Sequence, residues 1–537
     1  MLSRDREEAA EHYRGHGSFA SRAGQRITWC YRVKLLLVTG RLAYKHVVEV
    51  AEKTRRELGV EVDVLELPIP VAAMINVNYL LRELPRHRSR LGGVDIIIVP
   101  GYADGDMSSV SSSFGIPVIK GPRYVYDLPL MVKALLEGVK FSPVIPADEV
   151  LREYTEKREQ EILNKVKARA QGTGVFTIGS LRVTSDYPLV ILEAYAKSPD
   201  DLERYKEAFK HADAVSLGFP YGFDVEESVR IVKHARELLA KPIGVDSVDF
   251  NLVIKVAEIV DFINGVPVES AERLVDYRSL IREKPLVLTA TTGSPRDRID
   301  LLKKRIAHLE ERGFEKLIVD PLLMPPLQGL VESLEAYALA KREMPNTPVL
   351  MGTGNVTELV DVDSIGLNAL LAFIGVELGI ELYLTTEESA KTRGSVKELR
   401  KALDMAVLAR ELKRPPKDLS TNMLVAKSKR RAVTPLPRAE VIVNAVERLP
   451  LRHDPRGYFK IAVNHEKGEI LLQHYEPGAL KPSLEIRGRD PYAIFAEVIR
   501  RNLVSLYEHC FYLGYELAKA SISLKVGREY EQDKEMF

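Results

Sequence analysis

Residues 316–326 read KLIVDPLLMPP: an apolar run, an aspartate, a proline, more apolar residues and two further prolines. The run up to Val319 has strand character, and Pro321, Pro325 and Pro326 keep a helix from starting directly behind it. An acid at the end of an apolar strand is either a solvated Asp-Pro turn or a carboxylate held at a functional mouth. The flanking sequence bears on that choice.

Outward from this stretch, strands are predicted at 175–181 (VFTIGSL), 213–218 (DAVSLG), 242–246 (PIGVD), 260–264 (VDFIN), 286–290 (LVLTA), 316–320 (KLIVD), 348–351 (PVLM) and 380–384 (IELYL). Amphipathic helical stretches such as DVEESVRIVKHARELLA and PRDRIDLLKKRIAHLEERG separate them. Eight strands alternating with helices predict a closed eight-stranded β/α (TIM) barrel over residues 174–412. An open doubly wound sheet is the alternative.

The flanks differ in character. Residues 33–146 alternate short buried strands (KLLLVTG, VEVDVLEL, DIIIVPG, IPVIKG) with helices, predicting a small parallel α/β domain of the flavodoxin or Rossmann kind. Its strand ends, VTGRLA and VPGYADGD, match neither GxxxxGK[ST] nor GxGxxG, so nucleotide binding has little support. The histidine pattern by which flavodoxin-like modules hold cobalamin is also missing. Residues 147–173 read as a charged helical connector, and 413–437, rich in proline and basic residues, as a solvated linker. The block 438–537 predicts a small α+β domain: a strand pair, FKIAVN and EILLQHY, then two helices after RGRDP (487–491). His465 and His474 flank that hairpin, too few ligands for a metal site. In 506–533, Leu506, His509, Leu513, Leu517, Ala520 and Leu524 recur at helical spacing, so His509 is expected on a buried face rather than in chemistry. Residues 1–32 are charged and aperiodic; they are expected to be an unstructured arm, with Val33 the biological start.

The composition excludes several classes. At 537 residues and net charge +1, the chain needs several domains and lacks a basic footprint for nucleic acid. No apolar run is long enough to span a bilayer, and no secretory signal opens the chain. Two cysteines, Cys30 and Cys510, allow neither a disulfide framework nor a four-cysteine iron–sulfur or metal site. A cytoplasmic protein is expected. The high charged fraction, 28%, leans towards a thermophile.

Polar residues gather at the carboxyl ends of the predicted barrel strands: Asp246, Asn264, Asp320 and, in MGTGNVTEL, Asn355. Carboxylates accept paired N–H groups and amides offer a donor beside an acceptor. Together they suit the edge of a flat heterocycle such as a pterin. Arg393, in KTRGSVKEL, either holds one anionic group or starts a helix in solvent.

PIGVDS, VDFING, LIVDPLLMPP and MGTGN resemble successive motifs of the pterin-binding family, which includes dihydropteroate synthases and pterin-dependent methyltransferases. The arrangement of the whole chain resembles the archaeal dihydropteroate synthase-like proteins. The resemblance implies that Asp246, Asn264 and Asp320 grip the pyrimidine edge of a pterin. Three departures qualify it. The synthases end their first strand in an asparagine, absent from FTIGSLRVTSDYP. GTGNV replaces their serine–arginine–lysine turn and is closer to the methyltransferases, whose asparagine sits near the reactive nitrogen. Ser395 stands where they have histidine, although Arg393 is kept.

The resemblance implies a synthase joining a 6-hydroxymethyl-dihydropterin diphosphate to an arylamine in the biosynthesis of a folate- or methanopterin-type coenzyme, with Mg²⁺ and Arg393 stabilising the departing diphosphate. The alternatives are a methyltransferase using a methyl-tetrahydropterin, with Asn355 near N5, and a non-catalytic pterin carrier or assembly scaffold. A homodimer is also allowed for.

Overall fold

A computed structural model describes residues 33–417, 419–428, 441–445, 447 and 452–536. The expectations for residues 1–32 and for residues 418 and 429–437 of the linker lie outside the described residues. The chain divides into two compact units, one ending at Glu156 and one beginning at Lys157.

In the first unit four parallel strands, β1 (Lys34–Gly40), β2 (Glu61–Leu67), β3 (Ile96–Val99) and β4 (Val118–Lys120), pair in the order β2-β1-β3-β4. Apolar residues on both faces of every strand explain the two cores: Leu35, Leu37 and Ile98 on one side, Leu36, Val38, Ile97 and Val99 on the other.

The second unit contains the barrel. Its staves are β7 (Leu189–Tyr195), β8 (Ala214–Gly218), β9 (Ile243–Asp246), β10 (Phe262–Pro267), β11 (Leu286–Thr289), β12 (Leu317–Asp320), β13 (Leu350–Gly352) and β14 (Leu382–Thr386), all parallel. The ring closes between β12 and β13 through a parallel bridge, Val319 to Val349, with the Val319 amide donating to the Pro348 carbonyl at 3.0 Å. Strand alternation sorts the side chains. Val190, Leu192, Val215, Leu217, Ile243, Val245, Ile263, Leu288 and Val319 face the helices. Ile191, Ala214, Phe262, Val287, Ile318, Leu350 and Leu382 fill the barrel's lower interior.

One strand assignment is corrected. Residues 175–181 are not a barrel stave. They form a hairpin, β5 (Thr177–Ile178) and β6 (Leu181–Arg182), about a Gly179–Ser180 turn with Gly179 at φ +58°. A glycine followed by serine between two short apolar runs is a hairpin signal, and it outweighs the strand reading here. The first stave is LVILEAY, 189–195. The hairpin packs Phe176, Ile178 and Val183 under the barrel, against Leu189, Ile191 and Phe262.

The helix Arg152–Ala170 buries Leu163 and Val166 against Met405, Val407 and Leu408. The start of the expected linker differs from a solvated run. Arg414 and Leu419 are buried, and Arg414 meets Glu159, which also accepts from the Ser420 amide at 3.0 Å. A buried glutamate needs these partners.

The C-terminal block has three antiparallel strands rather than two: β15 (Tyr458–Asn464), β16 (Glu469–Tyr475) and β17 (Leu484–Gly488), so the RGRDP stretch begins inside a strand. Helices Pro491–Arg500 and Tyr507–Val526 cover one face. His474 is buried, bonding Ser483 Oγ and the Arg456 carbonyl, whereas His465 lies in the turn at the other end of the hairpin. His509 is buried with Nδ1 3.1 Å from Asp454. Burial opposes the Asp454 charge, but hydrogen bonds from Ser505, Arg456 and Leu506 outweigh it and hold the carboxyl below the usual range. His509→Ala is therefore expected to cost about 1.5–3 kcal/mol, the worth of a hydrogen bond to a charged group. Thermal melting checks this; pterin affinity should stay within twofold, and loss of turnover at an unchanged Tm would contradict the structural role.

Candidate functional site at the barrel mouth

Above the apolar floor the next inward position on six consecutive staves is polar: Glu193 on β7, Ser216 on β8, Asp246 on β9, Asn264 on β10, Thr289 on β11 and Asp320 on β12. The strand registers set these neighbours: Glu193 beside Ser216, Asp246 beside Asn264, Thr289 beside Asp320.

Asn264, 2% exposed, donates from Nδ2 to Asp246 Oδ2 at 2.8 Å. The register of β10 slips between Ile263 and Val266, and Gly265 sits in that slip at φ +66°. A bulge with a left-handed glycine re-aims the neighbouring side chain, here Asn264, into the barrel. Gly265 also makes room for its neighbour: a Cβ there would lie 2.3 Å from Asp246 Oδ1.

Asp320 is 6% exposed. Its Oδ1 accepts from the Tyr337 hydroxyl at 2.7 Å and the Leu322 amide at 2.8 Å, leaving Oδ2 as the oxygen presented to the mouth. Behind it the chain runs without helix until Leu330. Leu322 and Leu327 both adopt left-handed backbone, at φ +65° and +63°. Leucine takes that conformation only when its surroundings impose it, and such strain gathers at working sites. Arg298 imposes it. The helix Pro295–Glu310 starts at a Ser294–Asp297 capping box, directly after which the buried Arg298 reaches the loop. Its guanidinium donates to the carbonyls of Gly293, Pro321 and Leu322 at 3.1, 3.2 and 3.4 Å.

Burial lifts the Asp320 carboxyl to about 6, against the pull of Tyr337, the Leu322 amide and Arg298. Burial, then the Asp320 charge, lifts Asp246 to about 6 against the Asn264 bond. Burial, then the Asp246 charge, lifts Glu193 to about 7. Three carboxyl groups thus share one mouth with their protons poised near neutrality, a pattern typical of functional sites.

Asn355 lies in the short helix Gly354–Thr357 directly after β13, where its Nδ2 donates to the Leu323 carbonyl at 3.0 Å. It ties down the 321–326 loop from the other side. Arg393 is apart from these four: it is exposed on the turn after β14, near Glu387. Among the described residues no group of three or more His, Cys, Asp or Glu side chains is arranged to hold a metal.

Sequence reasoning missed Glu193, Ser216, Tyr337 and Arg298. A lone acid inside LVILEAY would have flagged Glu193 had that run been assigned as a stave. On the corrected first strand, glutamate rather than asparagine faces the mouth.

Comparisons with known proteins can now be set beside this geometry. MJ0107 of Methanocaldococcus jannaschii, an uncharacterized protein, is 31% identical over 535 residues, covering 94% of this chain and 99% of that protein. The chain belongs to the MJ0107 family. In this MJ0107-family chain the model described as PterinBD-DUF4346 matches residues 453–533, and one described as a family of unknown function (DUF6513) matches 33–123. The first match lies in the C-terminal α+β block, outside the barrel that carries the pterin-binding motifs. Solved structures similar to it include the Yersinia pestis dihydropteroate synthase with a pterine–sulfa conjugate, at 17% identity, 44% of this chain, 98% of that chain and TM-score 0.36. The Xanthomonas albilineans dihydropteroate synthase with 4-aminobenzoic acid is similar at 17% identity, 41% of this chain, 95% of that chain and TM-score 0.34. Among the described residues of the MJ0107-family chain no helix is long and apolar enough to cross a membrane.

Proposed function

We propose that this chain binds a pterin at the barrel mouth and acts as a dihydropteroate synthase-like transferase, joining a 6-hydroxymethyl-dihydropterin diphosphate to an arylamine. The observation that carries the reading is the Asp246–Asn264 pair with Asp320 two staves away, close enough for the two carboxyl groups to act on each other. Two carboxyl groups and an amide facing one space match the amino, ring N–H and carbonyl groups along a pterin edge. Positioning would supply most of the rate, because a held pterin and amine react as one molecule. Arg393 would meet the departing diphosphate at the rim.

A second reading, methyl transfer from a methyl-tetrahydropterin, is favoured by Asn355 after β13 and by glutamate in place of the strand-end asparagine on β7. The test is calorimetry with 6-hydroxymethyl-dihydropterin diphosphate and with a methyl-tetrahydropterin, each with and without Mg²⁺, followed by turnover with arylamines. Tighter binding of the diphosphate and formation of a pterin–arylamine product are expected. Preference for the methylated pterin would move the assignment to methyl transfer. Binding without turnover would leave a carrier, and no binding would remove the pterin reading.

A further inference from the structure

The grip on the pterin edge uses β9, β10 and β12. The facing wall of the mouth, made by β14, β7 and β8, is built differently. Glu193 stands at its centre, directly in register with Ser216 on one side and Thr386 on the other. Ser216 is 0% exposed and Thr386 6%; both hydroxyls lack a hydrogen-bond partner within the protein. Alternation aims both inward, since Val215 and Leu217 face the helices while Leu384 packs on the barrel floor. Buried hydroxyls without partners are uncommon and mark a wall finished by something that binds there.

The charges around Glu193 are nearly all of one sign. Its Oε1 accepts from the Tyr195 hydroxyl at 2.7 Å, and Asp246 and Glu388 face it from β9 and from the loop after β14. Asp320 lies beyond Asp246. Arg204, beside Glu388, is committed to Glu388 at 2.8 Å and to the Tyr195 carbonyl at 2.7 Å, while Tyr205 also bonds Glu388. Tyr195 is free to lie across the strand end because Gly218 has no Cβ; one would sit 2.5 Å from its ring. Such a wall repels phosphate and attracts a neutral or cationic nitrogen.

We propose that the β14–β7–β8 wall seats the amine reactant, and that Glu193 takes the proton the amine sheds. This rests on the condensation reading. The amine nitrogen bonds to the exocyclic methylene carbon of the pterin as that carbon's bond to the diphosphate oxygen breaks. The electron pair of the broken bond leaves with diphosphate, and one N–H proton passes to the Glu193 carboxylate. Its elevated affinity for a proton suits it to accept one near neutrality, and general bases of this kind contribute about 10²–10⁴-fold.

The experiment uses the full chain, 6-hydroxymethyl-dihydropterin without diphosphate, and aniline as the amine probe. Calorimetry on the pterin complex of the wild type and Glu193→Gln is expected to show pterin affinity within twofold and aniline affinity lowered at least tenfold. Turnover of the diphosphate substrate should fall at least a hundredfold, and the wild type's rise in kcat through pH 7 should disappear. Ser216→Ala with Thr386→Val keeps the carboxylate and should weaken aniline binding while shifting that pH limb. Equal aniline affinity in wild type and Glu193→Gln overturns the amine seat. Weakened aniline binding with undiminished turnover overturns the proton acceptor. If the wild type turns over no arylamine but the aniline difference persists, condensation falls and the amine seat stands.

Discussion

Asp320→Asn is expected to bind pterin thirty- to a thousand-fold more weakly than the wild type, a loss of about 2–4 kcal/mol. The mutant amide keeps an oxygen for Tyr337 and the Leu322 amide, so the 321–326 loop retains its anchor. What changes is the atom at the Oδ2 position. An acceptor becomes a donor facing the pterin's own N–H groups. Stability should move the other way. The folded carboxyl titrates at about 6, above its ordinary value of 3.8, so its contribution to stability is full at low pH and is lost as pH rises through 6. Removing the charge should leave stability, and with it Tm, nearly unchanged near pH 4 and raise stability above pH 7 by on the order of 1–3 kcal/mol. Calorimetric titration and melting curves across that range check both halves. Pterin affinity equal to the wild type would reduce Asp320 to a turn residue.

Gly265→Ala is expected to disable the same grip without removing a polar atom. The left-handed backbone at φ +66° costs an alanine about 1 kcal/mol. The new methyl also arrives 2.3 Å from Asp246 Oδ1, so the carboxylate must swing off its 2.8 Å bond to Asn264. A ten- to hundred-fold loss of pterin affinity follows, about 1.4–2.7 kcal/mol. Gly222→Ala separates the two effects: Gly222 has φ +75° with open space around it, so it carries the backbone cost alone. If both alanines lowered Tm equally and neither changed pterin affinity, the contact between Gly265 and Asp246 would have no functional weight.

The sequence made Asp246, Asn264 and Asp320 readable because each ends a run of apolar strand formers, and inward aim at a barrel's carboxyl end follows from alternation. Glu193 was hidden by a choice between two apolar runs of similar length. VFTIGSL and LVILEAY look alike to any local pattern, and only distant partners decide which one becomes a stave. Arg298 was hidden differently. In PRDRIDLLKK it reads as one more solvated charge, yet two of its carbonyl partners lie more than twenty residues ahead. The strain at Leu322 left no trace, since leucine is not a residue that announces a left-handed turn. The third strand of the C-terminal block was missed because RGRDP looks like a turn, and its first two residues are the last of β17.

The hairpin beneath the staves has a practical consequence for anyone seeking the smallest piece of this chain that folds. A fragment cut at Leu189 would retain every stave and the whole mouth. It would also strip Phe176, Ile178 and Val183 from Leu189, Ile191, Phe262 and Val287, exposing a greasy hole at the end away from the chemistry. Contiguous apolar surface of that kind drives self-association. The autonomous fragment therefore has to begin upstream of Gly174, whose missing side chain lets the chain pass within reach of Arg182 and the Val183 carbonyl. A short segment remote from every polar residue of the mouth thus sets the limit to which the protein can be trimmed.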